Sequence, residues 1–392
     1  MFLNLFKSKR IFLDYAGSTP VDFSVTKEMQ KFQKFFANPS GLYRESVEAK
    51  EFLGEFRARV AKVLNVTKNE IIFTSGATEG NNLALLGVFE ASKKENFVPH
   101  FITSAIEHSS TLEVCKEIEL RGGEVTVLSV SADGLVSADS VKNSLKTNTV
   151  MVSLGLANSE IGTLQPISEI GKVIKDWNIE NKNKIVFHVD GSGASIYHSF
   201  DIARMGVNIF TLDGSKIYGP KGVGCVFIKS GTDIKPIIFG GGQEKGLRSG
   251  TENISSIAGF TLALEIADKK RDAESKRLKT IRDYAIEKIL GAFQNVTLNG
   301  SIKHRLPNNV NVCFKGLDAE FATIQLDILG FAVSYSSSCL TLKDDLSSYV
   351  IRALGKTEDC SKSSLRFTFG RDTKKTDIDK LVSALKKVVK QS

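Results

Sequence analysis

Two stretches near the middle of the chain decide the fold, KIVFHVDGSGA at residues 184–194 and IFTLDGSKIYGPKGVG at residues 209–224. Each begins with an apolar run of strand length and ends in a turn of small residues. Such runs, separated by longer helical patterns, are typical of buried strands in a parallel sheet. The second stretch also carries a lysine, Lys216, just after its apolar run and just before a glycine-rich turn.

The same alternation extends outward in both directions. Apolar runs such as NEIIFTSG, HFITSA, EVTVLSV and TVMVSLGLA alternate with the helical patterns ATEGNNLALLGVFEASKK, STLEVCKEIELRGG and ISEIGKVIKDWNIE. This order predicts βαβ units and an α/β fold with a mostly parallel sheet. With 392 residues and 42% hydrophobic content, the chain is also long enough for two domains.

The pattern of residues along the sequence changes from about residue 256. A long, charge-rich helical stretch is followed there by the strand-like runs NNVNVCF, FAVSYS and SLRFTFG, with helical patterns between them. We therefore expect a domain boundary near residue 265, with the large α/β domain before it and a smaller domain after it.

The charge is spread along the chain. The formal net charge of +8 reflects 52 basic and 44 acidic residues, with no arginine-rich run or stacked-aromatic module. We therefore expect no direct nucleic-acid binding. We interpret the charge mainly as solvated surface, and capture of anionic ligands or of an acidic partner is the alternative.

The opening MFLNLFKSKR is apolar and then basic, the reverse of a signal peptide, and its apolar part is too short to span a bilayer. We expect a short extension ahead of the first strand, with a weak surface anchor as the alternative. By default this predicts a cytoplasmic protein without a membrane partner.

The cysteines form an odd set of five without any C-x-x-C pair. This argues against a disulfide framework and against a zinc site, so we expect no metal. Cys115, Cys225 and Cys313 lie in apolar or periodic contexts that favour small buried hydrophobes, and Cys360 lies in a polar loop. Cys339 differs, because SYSSSCLTLKDD surrounds it with small hydroxyl residues that suit an exposed, mobile loop.

Two glycine-bearing turns have the composition of anion sites. FTSGATEGNN leads directly into a predicted helix, so that backbone N–H groups and Thr78 would lie at the positive end of the helix dipole; a simple N-cap turn is the alternative. GGGQEKGLRSGTEN, at residues 240–253, fits phosphate contact or a subunit interface. Neither a Walker A loop nor a G-x-G-x-x-G turn opening a helix is present, which weakens nucleotide binding as a function.

Two charged residues follow predicted strands of the sheet. Asp190 ends one apolar strand and Lys216 follows another, so both could meet a ligand at the carboxyl edge of the sheet. A buried structural ion pair is the alternative. A partly desolvated lysine has a lowered pKa and can form a Schiff base, and a nearby carboxylate can keep a pyridinium nitrogen protonated, as pyridoxal 5'-phosphate (PLP) requires. His108 could stack on a flat ring or move protons, or be an ordinary loop residue.

The sequence resembles the cysteine desulfurases of the NifS/IscS type, in the class V aminotransferase group. The matching stretches cover nearly the whole chain after about residue 10, in the family's order. They are IFLDYAGSTPVD, NPSGLYRESVEAK, FTSGATEGNN, AIEHSS, ANSEIGTLQPI, FHVDGSG, GSKIYGPKGVG, GGGQEKGLRSGTENI, SYSSSCLTLKDDLSSYVIRALG and SLRFTFGR.

The resemblance implies a PLP-dependent transferase of fold type I. Residues 1–15 would form an extension and a strand associated with the small domain. Residues 16–264 would form the large PLP-binding domain, with a mostly parallel sheet flanked by helices. Residues 265–392 would form a smaller α+β domain that carries the catalytic-cysteine loop.

The resemblance also implies roles for individual residues. The cofactor would be bound covalently by Lys216, with Asp190 at the pyridine nitrogen and His108 on the ring, where it assists proton transfer. Cys339 would be the nucleophile. The remaining residues implied by the resemblance are Ala77, Thr78, Ser215 and, from a neighbouring subunit, Thr251 for the phosphate, Asn158 for the ring hydroxyl, and Arg366 and Asn38 for the substrate.

The implied activity converts L-cysteine to L-alanine and leaves a persulfide on Cys339. The loop tail SSYVIRALG resembles the long-loop subgroup, whose acceptors include iron–sulfur scaffold and tRNA-thiolation proteins. A homodimer is implied as well. Two alternatives stay open: a related PLP-dependent selenocysteine or cysteine sulfinate lyase, and a degenerate scaffold for sulfur-transfer partners without catalysis.

The match departs from the family at the cofactor cradle. The usual Ser-x-His before the lysine is replaced by Asp213 and Ser215, the usual glutamine by Gly193, and the usual second asparagine of the NNE segment by Ser159. A carboxylate beside a phosphate is repulsive. We therefore expect Asp213 to turn away from the phosphate, toward a backbone donor or a basic side chain.

Overall fold

A computed structural model describes residues 10–199, 201–335 and 347–391. Its centre is a seven-stranded sheet in the order β2-β8-β7-β6-β5-β3-β4. Strands β3 to β7 pair in parallel, and β8 runs antiparallel to both of its neighbours, β2 and β7. The strands are β2 (Ile71–Thr74), β3 (His100–Ser104), β4 (Glu124–Leu128), β5 (Thr149–Gly155), β6 (Val186–Asp190), β7 (Ile209–Asp213) and β8 (Gly224–Ile228).

Successive side chains of a strand point to opposite faces of the sheet, so each face presents its own apolar side chains. Helices cover both faces. Ile209 of β7 packs into one apolar cluster and Phe210, the next residue, into the other. One cluster includes apolar side chains of α3 and α4, and the other includes those of α2, α6 and α7. The helices up to this point are α1 (Phe23–Phe32), α2 (Arg44–Leu64), α3 (Ala77–Ser92), α4 (Ser109–Leu120), α5 (Ala138–Ser144), α6 (Ile167–Glu180) and α7 (Ile254–Ala292).

A second, smaller region follows along the chain. Strands β9 (Val296–Leu298), β10 (Asn309–Phe314) and β12 (Ser364–Thr368) form an antiparallel sheet with β10 in the centre. The N-terminal strand β1 (Ile11–Phe12) pairs in parallel with β11 (Phe331–Ala332). The helices of this region are α8 (Ala319–Ile328), α9 (Tyr349–Ala353), α10 (Glu358–Lys362) and α11 (Lys375–Gln391). The predicted mostly parallel α/β architecture with a smaller α+β region is therefore confirmed.

Helix α7 runs through both regions. Its buried side chains up to Ala267 belong to the core beside the large sheet, and those from Leu278 onward belong to the core of the small region. The predicted boundary after residue 264 thus falls inside a continuous helix. The division into domains stays a prediction, in which α7 is shared.

The prediction that Cys313 and Cys360 are ordinary, unpaired cysteines was wrong. Cys313 lies on β10 and Cys360 on α10, and the two form a disulfide with their Cα atoms 5.4 Å apart. Both lie in a small apolar cluster with Ile106 and with Val350 of α9. Cysteine count and spacing could not reveal this pair, because 47 positions separate the two residues. Cys115 and Cys225 are free and buried, as predicted.

In the described ranges, no helix is long and apolar enough to cross a membrane. No group of three or more His, Cys, Asp or Glu side chains there could hold a metal ion. The fold instead concentrates polar side chains at one edge of the large sheet. Asp190 and Asp213 are the last residues of β6 and β7, two neighbouring parallel strands, and both lie at the carboxyl edge, where β7 extends two residues beyond Thr211, the partner of Asp190.

Candidate active site

A cavity of about 280 Å³ opens at this carboxyl edge, between the large sheet and the small region. Its walls come from the turns that follow β2, β3, β5, β6 and β7, together with residues of α9 and β12. Eight of the residues singled out from the sequence line it together: Ala77, Thr78, His108, Asn158, Asp190, Ser215, Lys216 and Arg366.

Lys216 is the last residue of a short 3-10 helix that follows β7 directly. Its Nζ donates to the backbone carbonyls of Ala16 and Gly17, at 2.8 and 2.6 Å. These carbonyls belong to the N-terminal segment DYAGSTP, which lines the same cavity. The ammonium is therefore held in the cavity wall by neutral acceptors, a contact that a ligand can replace.

Asp190 is oriented by two donors. Its Oδ1 accepts the backbone N–H of Ser192 at 2.9 Å, and its Oδ2 accepts the side-chain amide of Asn81 at 2.8 Å. Asn81 lies on α3, is fully buried, and donates also to the Ser110 hydroxyl at 2.9 Å. These two donors fix the position of the carboxylate at the edge of the cavity.

The same network reaches His108, which caps the N-terminus of α4. Its Nδ1 accepts the backbone N–H of Ser110 at 3.1 Å and lies 2.8 Å from the Ser110 hydroxyl. Because Nδ1 accepts a backbone proton, the neutral ring carries its own proton on Nε2. Asn81 and Ser110 therefore join Asp190 to His108, and the sequence reasoning missed both. The only signal for them was their place in the turn motifs FTSGATEGNN and AIEHSS.

Two further buried groups surround Asp190. Burial raises the pKa of Glu107 to about 7, and the negative charge of Asp190 contributes; hydrogen bonds from the Ser104 hydroxyl and the Gly155 N–H act in the opposite direction. Burial lowers the pKa of His188 to about 4, so this ring is neutral near pH 7. Burial thus disfavours the charged form of both neighbours of Asp190. The sequence reasoning also missed Glu107.

Asn158 and Arg366 form another part of the wall. Asn158 donates to the carbonyl of Ile106 at 2.7 Å and accepts two backbone N–H groups with its Oδ1. Arg366 is 2% exposed and pairs with Asp14 at 2.7 Å. In the part of the chain that the structure describes, the buried Arg366 Nε and the Ser192 hydroxyl have no hydrogen-bond partner. Both residues line the cavity, although these two atoms are themselves enclosed by protein.

The replacement at Asp213 has a definite structural outcome. Its Oδ1 accepts the N–H and the hydroxyl of Ser215 at 2.7 and 2.6 Å, and its Oδ2 accepts the N–H of Ala77 at 2.8 Å. Of the two partners predicted for this carboxylate, a backbone donor or a basic side chain, the structure has backbone donors. These donors, however, belong to Ala77 and Ser215, the residues that were expected to hold a phosphate.

Two predicted site residues are not brought to the cavity, and a third cannot be placed. Asn38 and Thr251 are exposed and are not part of its lining within this single chain. Cys339 lies outside the described residues. The roles predicted for these three residues therefore stay predictions.

The chain matches known proteins over nearly its whole length. The aminotransferase class-V family matches residues 11–381. The chain is 37% identical to cysteine desulfurase IscS of Dictyoglomus turgidum, over 98% of this chain and 95% of that protein. It is 40% identical to a mitosomal cysteine desulfurase of Encephalitozoon cuniculi, over 98% of this chain and 88% of that protein. A NifS-like protein of Rickettsia africae has a similar structure, with a TM-score of 0.86 and 29% identity over 97% of this chain and all of that one.

The fold, the lysine-bearing cavity and these matches together define the class of protein. The chain belongs to the aminotransferase class-V family and, within it, to the PLP-dependent cysteine desulfurases of the NifS/IscS type. The comparisons do not favour the selenocysteine or cysteine sulfinate lyase, or the scaffold without catalysis.

The residues of the cavity fit PLP at its ring. An amine (Lys216), an oriented carboxylate (Asp190) and an imidazole (His108) line one space. The phosphate end also has suitable donors at the start of α3 and at Ser215, but Asp213 accepts hydrogen bonds from both.

Proposed function

We propose that the cysteine desulfurase reaction takes place in this cavity, with Lys216, Asp190 and His108 as its acting groups and Cys339 as the sulfur carrier. The proposal is supported above all by one arrangement: Asp190 and Lys216 follow neighbouring parallel strands and line the same space with His108. When bound, PLP supplies an electron-withdrawing ring that stabilises negative charge on the substrate.

The residues of the chain would bind the substrate and move its protons. Asp190 would keep the ring nitrogen charged, and Lys216 would hold the aldehyde carbon until substrate replaces it. The Lys216 Nζ and the His108 Nε2 are the two atoms we assign to proton transfer. Arg366, which lines the cavity, would bind the substrate carboxylate through its guanidinium. Asn38 would contact the substrate from the N-terminal segment.

Cys339 would take the sulfur. Its thiolate attacks the sulfur atom of L-cysteine, so that a sulfur–sulfur bond forms while the carbon–sulfur bond of the substrate breaks. The carbon accepts a proton and leaves as L-alanine. The products are L-alanine and a persulfide on Cys339, and no external oxidant or reductant is needed. The persulfide would then pass to an acceptor protein, which we propose is an iron–sulfur scaffold or a tRNA-thiolation protein.

We also propose a homodimer. Thr251 would contact the phosphate from the partner subunit, which agrees with its exposure and its distance from the lining of its own cavity. Large apolar side chains are exposed on the N-terminal segment and near the glycine-rich loop, in a way that subunit contact would explain. They are Phe23, Phe36, Leu42, Tyr43 and Phe239.

We also propose a cytoplasmic location. The disulfide between Cys313 and Cys360 would then have to persist in a reducing compartment. Disulfides are rare in reducing compartments, since thiols exchange with them. Cys313 and Cys360 are 2% and 8% exposed, so burial protects their sulfur atoms from attack. Rapid alkylation of thiols in intact cells should therefore leave these two residues unlabelled; their full labelling would contradict a stable bond there.

The function is tested by replacing Cys339 with Ser. We expect this variant to bind PLP, to change its absorption spectrum when L-cysteine is added, and to release no alanine above background. Cys115→Ala is the control, since Cys115 is buried beside α3 and outside the cavity lining. Full alanine release by Cys339→Ser would contradict the persulfide mechanism and would favour the lyase.

A further inference from the structure

The cofactor cradle contains an anion of its own. The Asp213 carboxylate accepts hydrogen bonds from the Ala77 N–H, from the Ser215 N–H and from the Ser215 hydroxyl, all between 2.6 and 2.8 Å. Ala77 is the first residue of α3, where the helix dipole favours negative charge. The Asp213 carboxylate thus binds donors from both segments of the proposed phosphate site, the start of α3 and the turn after β7.

The backbone around Asp213 makes room for this carboxylate. Gly76, the residue before α3, has a φ of +146°, which a residue with a side chain rarely adopts. A Cβ placed on Gly76 would also lie 2.9 Å from the Asp213 Oδ2. The glycine at position 76 therefore leaves space for the Asp213 carboxylate, which the hydrogen bonds then hold in place.

Arg248, a cation near the start of α3, is paired with a carboxylate other than Asp213. Glu79, in the first turn of α3, accepts the Ser75 N–H at 2.9 Å and pairs with Arg248, also at 2.9 Å. Burial opposes ionisation of Glu79, but the hydrogen bonds from Arg248 and Ser75 hold the pKa of its carboxyl below the ordinary value. Arg248 is therefore balanced by Glu79 and does not compensate the charge of Asp213.

A bound phosphate and the Asp213 carboxylate would need the same N–H and O–H groups. A donor bonded to one anion is lost to the other, and two anions at hydrogen-bonding distance repel each other strongly in a partly buried site. The ring end of the cofactor is not affected, because Asp190 is held by a different pair of donors, Asn81 and Ser192.

Resting on the function proposed above, we propose that Asp213 occupies part of the phosphate site and competes with the cofactor's phosphate. Asp213 thereby lowers the preference of the site for PLP over pyridoxal, its unphosphorylated form. The ring and the aldehyde contribute equally to the affinity for PLP and for pyridoxal. The phosphate of PLP adds little affinity until the Asp213 carboxylate is displaced.

Equilibrium titrations of the cofactor-free full chain test this proposal, with PLP and pyridoxal as the two ligands and absorbance as the readout. Asp213→Ser and Asp213→Asn are compared with the wild type. We expect both variants to bind PLP about tenfold or more tightly, since each removes the negative charge. We expect pyridoxal affinity to change by less than about twofold, because pyridoxal carries a neutral hydroxymethyl group where PLP carries its phosphate.

Asp318→Ser is the matched control. Asp318 also accepts a backbone N–H at the start of a helix, from Phe321 of α8, but it does not line the cavity. It should leave both affinities at the wild-type value. Thermal unfolding of every variant identifies those that do not fold, and Asp213→Asn, which keeps the shape of the side chain, stands in if Asp213→Ser fails.

Several outcomes would overturn the proposal. One is a weaker affinity for PLP in both Asp213 variants, and another is an equal change for PLP and pyridoxal. A wild type that already prefers PLP as strongly as its variants would do the same. Because the titrations need no turnover, they can be run in a Cys339→Ser background. A failure of the desulfurase mechanism would then leave their result unchanged, whereas a wild type that bound neither ligand would overturn both proposals.

Discussion

Asp190 and Asp213 hold the same position in two neighbouring turns, yet we assign them opposite effects on the cofactor. Each ends a parallel strand, each is followed by Gly-Ser, and each accepts the N–H of that serine, at 2.9 and 2.7 Å. Each also accepts a second hydrogen bond from α3 at 2.8 Å. For Asp190 the donor is the Asn81 side chain, and for Asp213 it is the Ala77 backbone N–H.

The difference shows that a local turn does not define the role of its carboxylate. In the proposed function Asp190 would face the cationic ring nitrogen, so its charge would attract the ligand. Asp213 lies at the start of α3, where the dipole and the N–H groups would otherwise bind a phosphate. The charge of the ligand group at each position decides whether the same Asp-Gly-Ser turn helps or opposes binding.

The largest expected effect separates the two aspartates directly. Asp190→Ala should lower kcat for alanine formation by about 1000-fold, since a carboxylate aimed at developing charge is lost. Asp213→Ser should keep kcat near the wild-type value when PLP is saturating, because Asp213 acts on cofactor affinity. Steady-state assays at several PLP concentrations measure both, and Asp233→Ala, on an exposed loop, is the control. Equal losses of kcat in Asp190→Ala and Asp213→Ser would contradict the proposed difference between the two aspartates.

The buried carboxyl beside Asp190 gives the next effect, on stability. Burial raises the pKa of Glu107 from 4.5 to about 7, so the folded chain keeps a proton there that the unfolded chain has already released. The contribution of Glu107 to the free energy of unfolding is therefore full at low pH and falls as pH rises from 4.5 to 7, by up to about 3 kcal/mol. Glu107→Gln should flatten this part of the profile.

Denaturant unfolding at a series of pH values measures this change. Glu113→Gln is the control, because Glu113 is an exposed residue of α4 with the same charge. An unchanged slope between pH 4.5 and 7 in Glu107→Gln would show that Glu107 titrates normally and adds no proton near Asp190.

The smallest expected effect concerns the donor from α3. Asn81→Ala removes the hydrogen bonds to Asp190 and to Ser110, and we expect kcat to fall by about tenfold, as is usual for a lost hydrogen bond to a charged group. Asn82→Ala is the control, since the Asn82 amide donates to the carbonyl of Thr78 within α3. If the two variants lose the same activity, α3 matters for stability and not for the orientation of Asp190.

Much of the fold was predictable because its strands are short apolar runs bounded by glycine turns. The same order of strands placed Asp190 and Lys216 at one edge of the sheet. Asn81 was missed because a buried polar residue on a helix has no signal of its own until the strand end beside it is known. The disulfide was missed for a similar reason, since the approach of Cys313 to Cys360 depends on how β10 packs on α10.

The position of Asp213 was predicted only in part. The sequence predicted a carboxylate turned toward backbone donors, and the structure has those hydrogen bonds. What the sequence could not supply was the identity of the donors, because Ala77 lies 136 positions from Asp213 along the chain. Their identity changes the interpretation from a carboxylate that avoids the phosphate to one that competes with it.

The function proposed for this cavity depends on Lys216 holding the cofactor beside Asp190. The most direct measurement is borohydride reduction of the PLP-loaded chain, followed by proteolysis and mass spectrometry of the labelled peptide. Our account predicts a stable pyridoxyl group on Lys216, and its loss in Lys216→Ala. A label on another lysine, with Lys216 unmodified, would contradict the account.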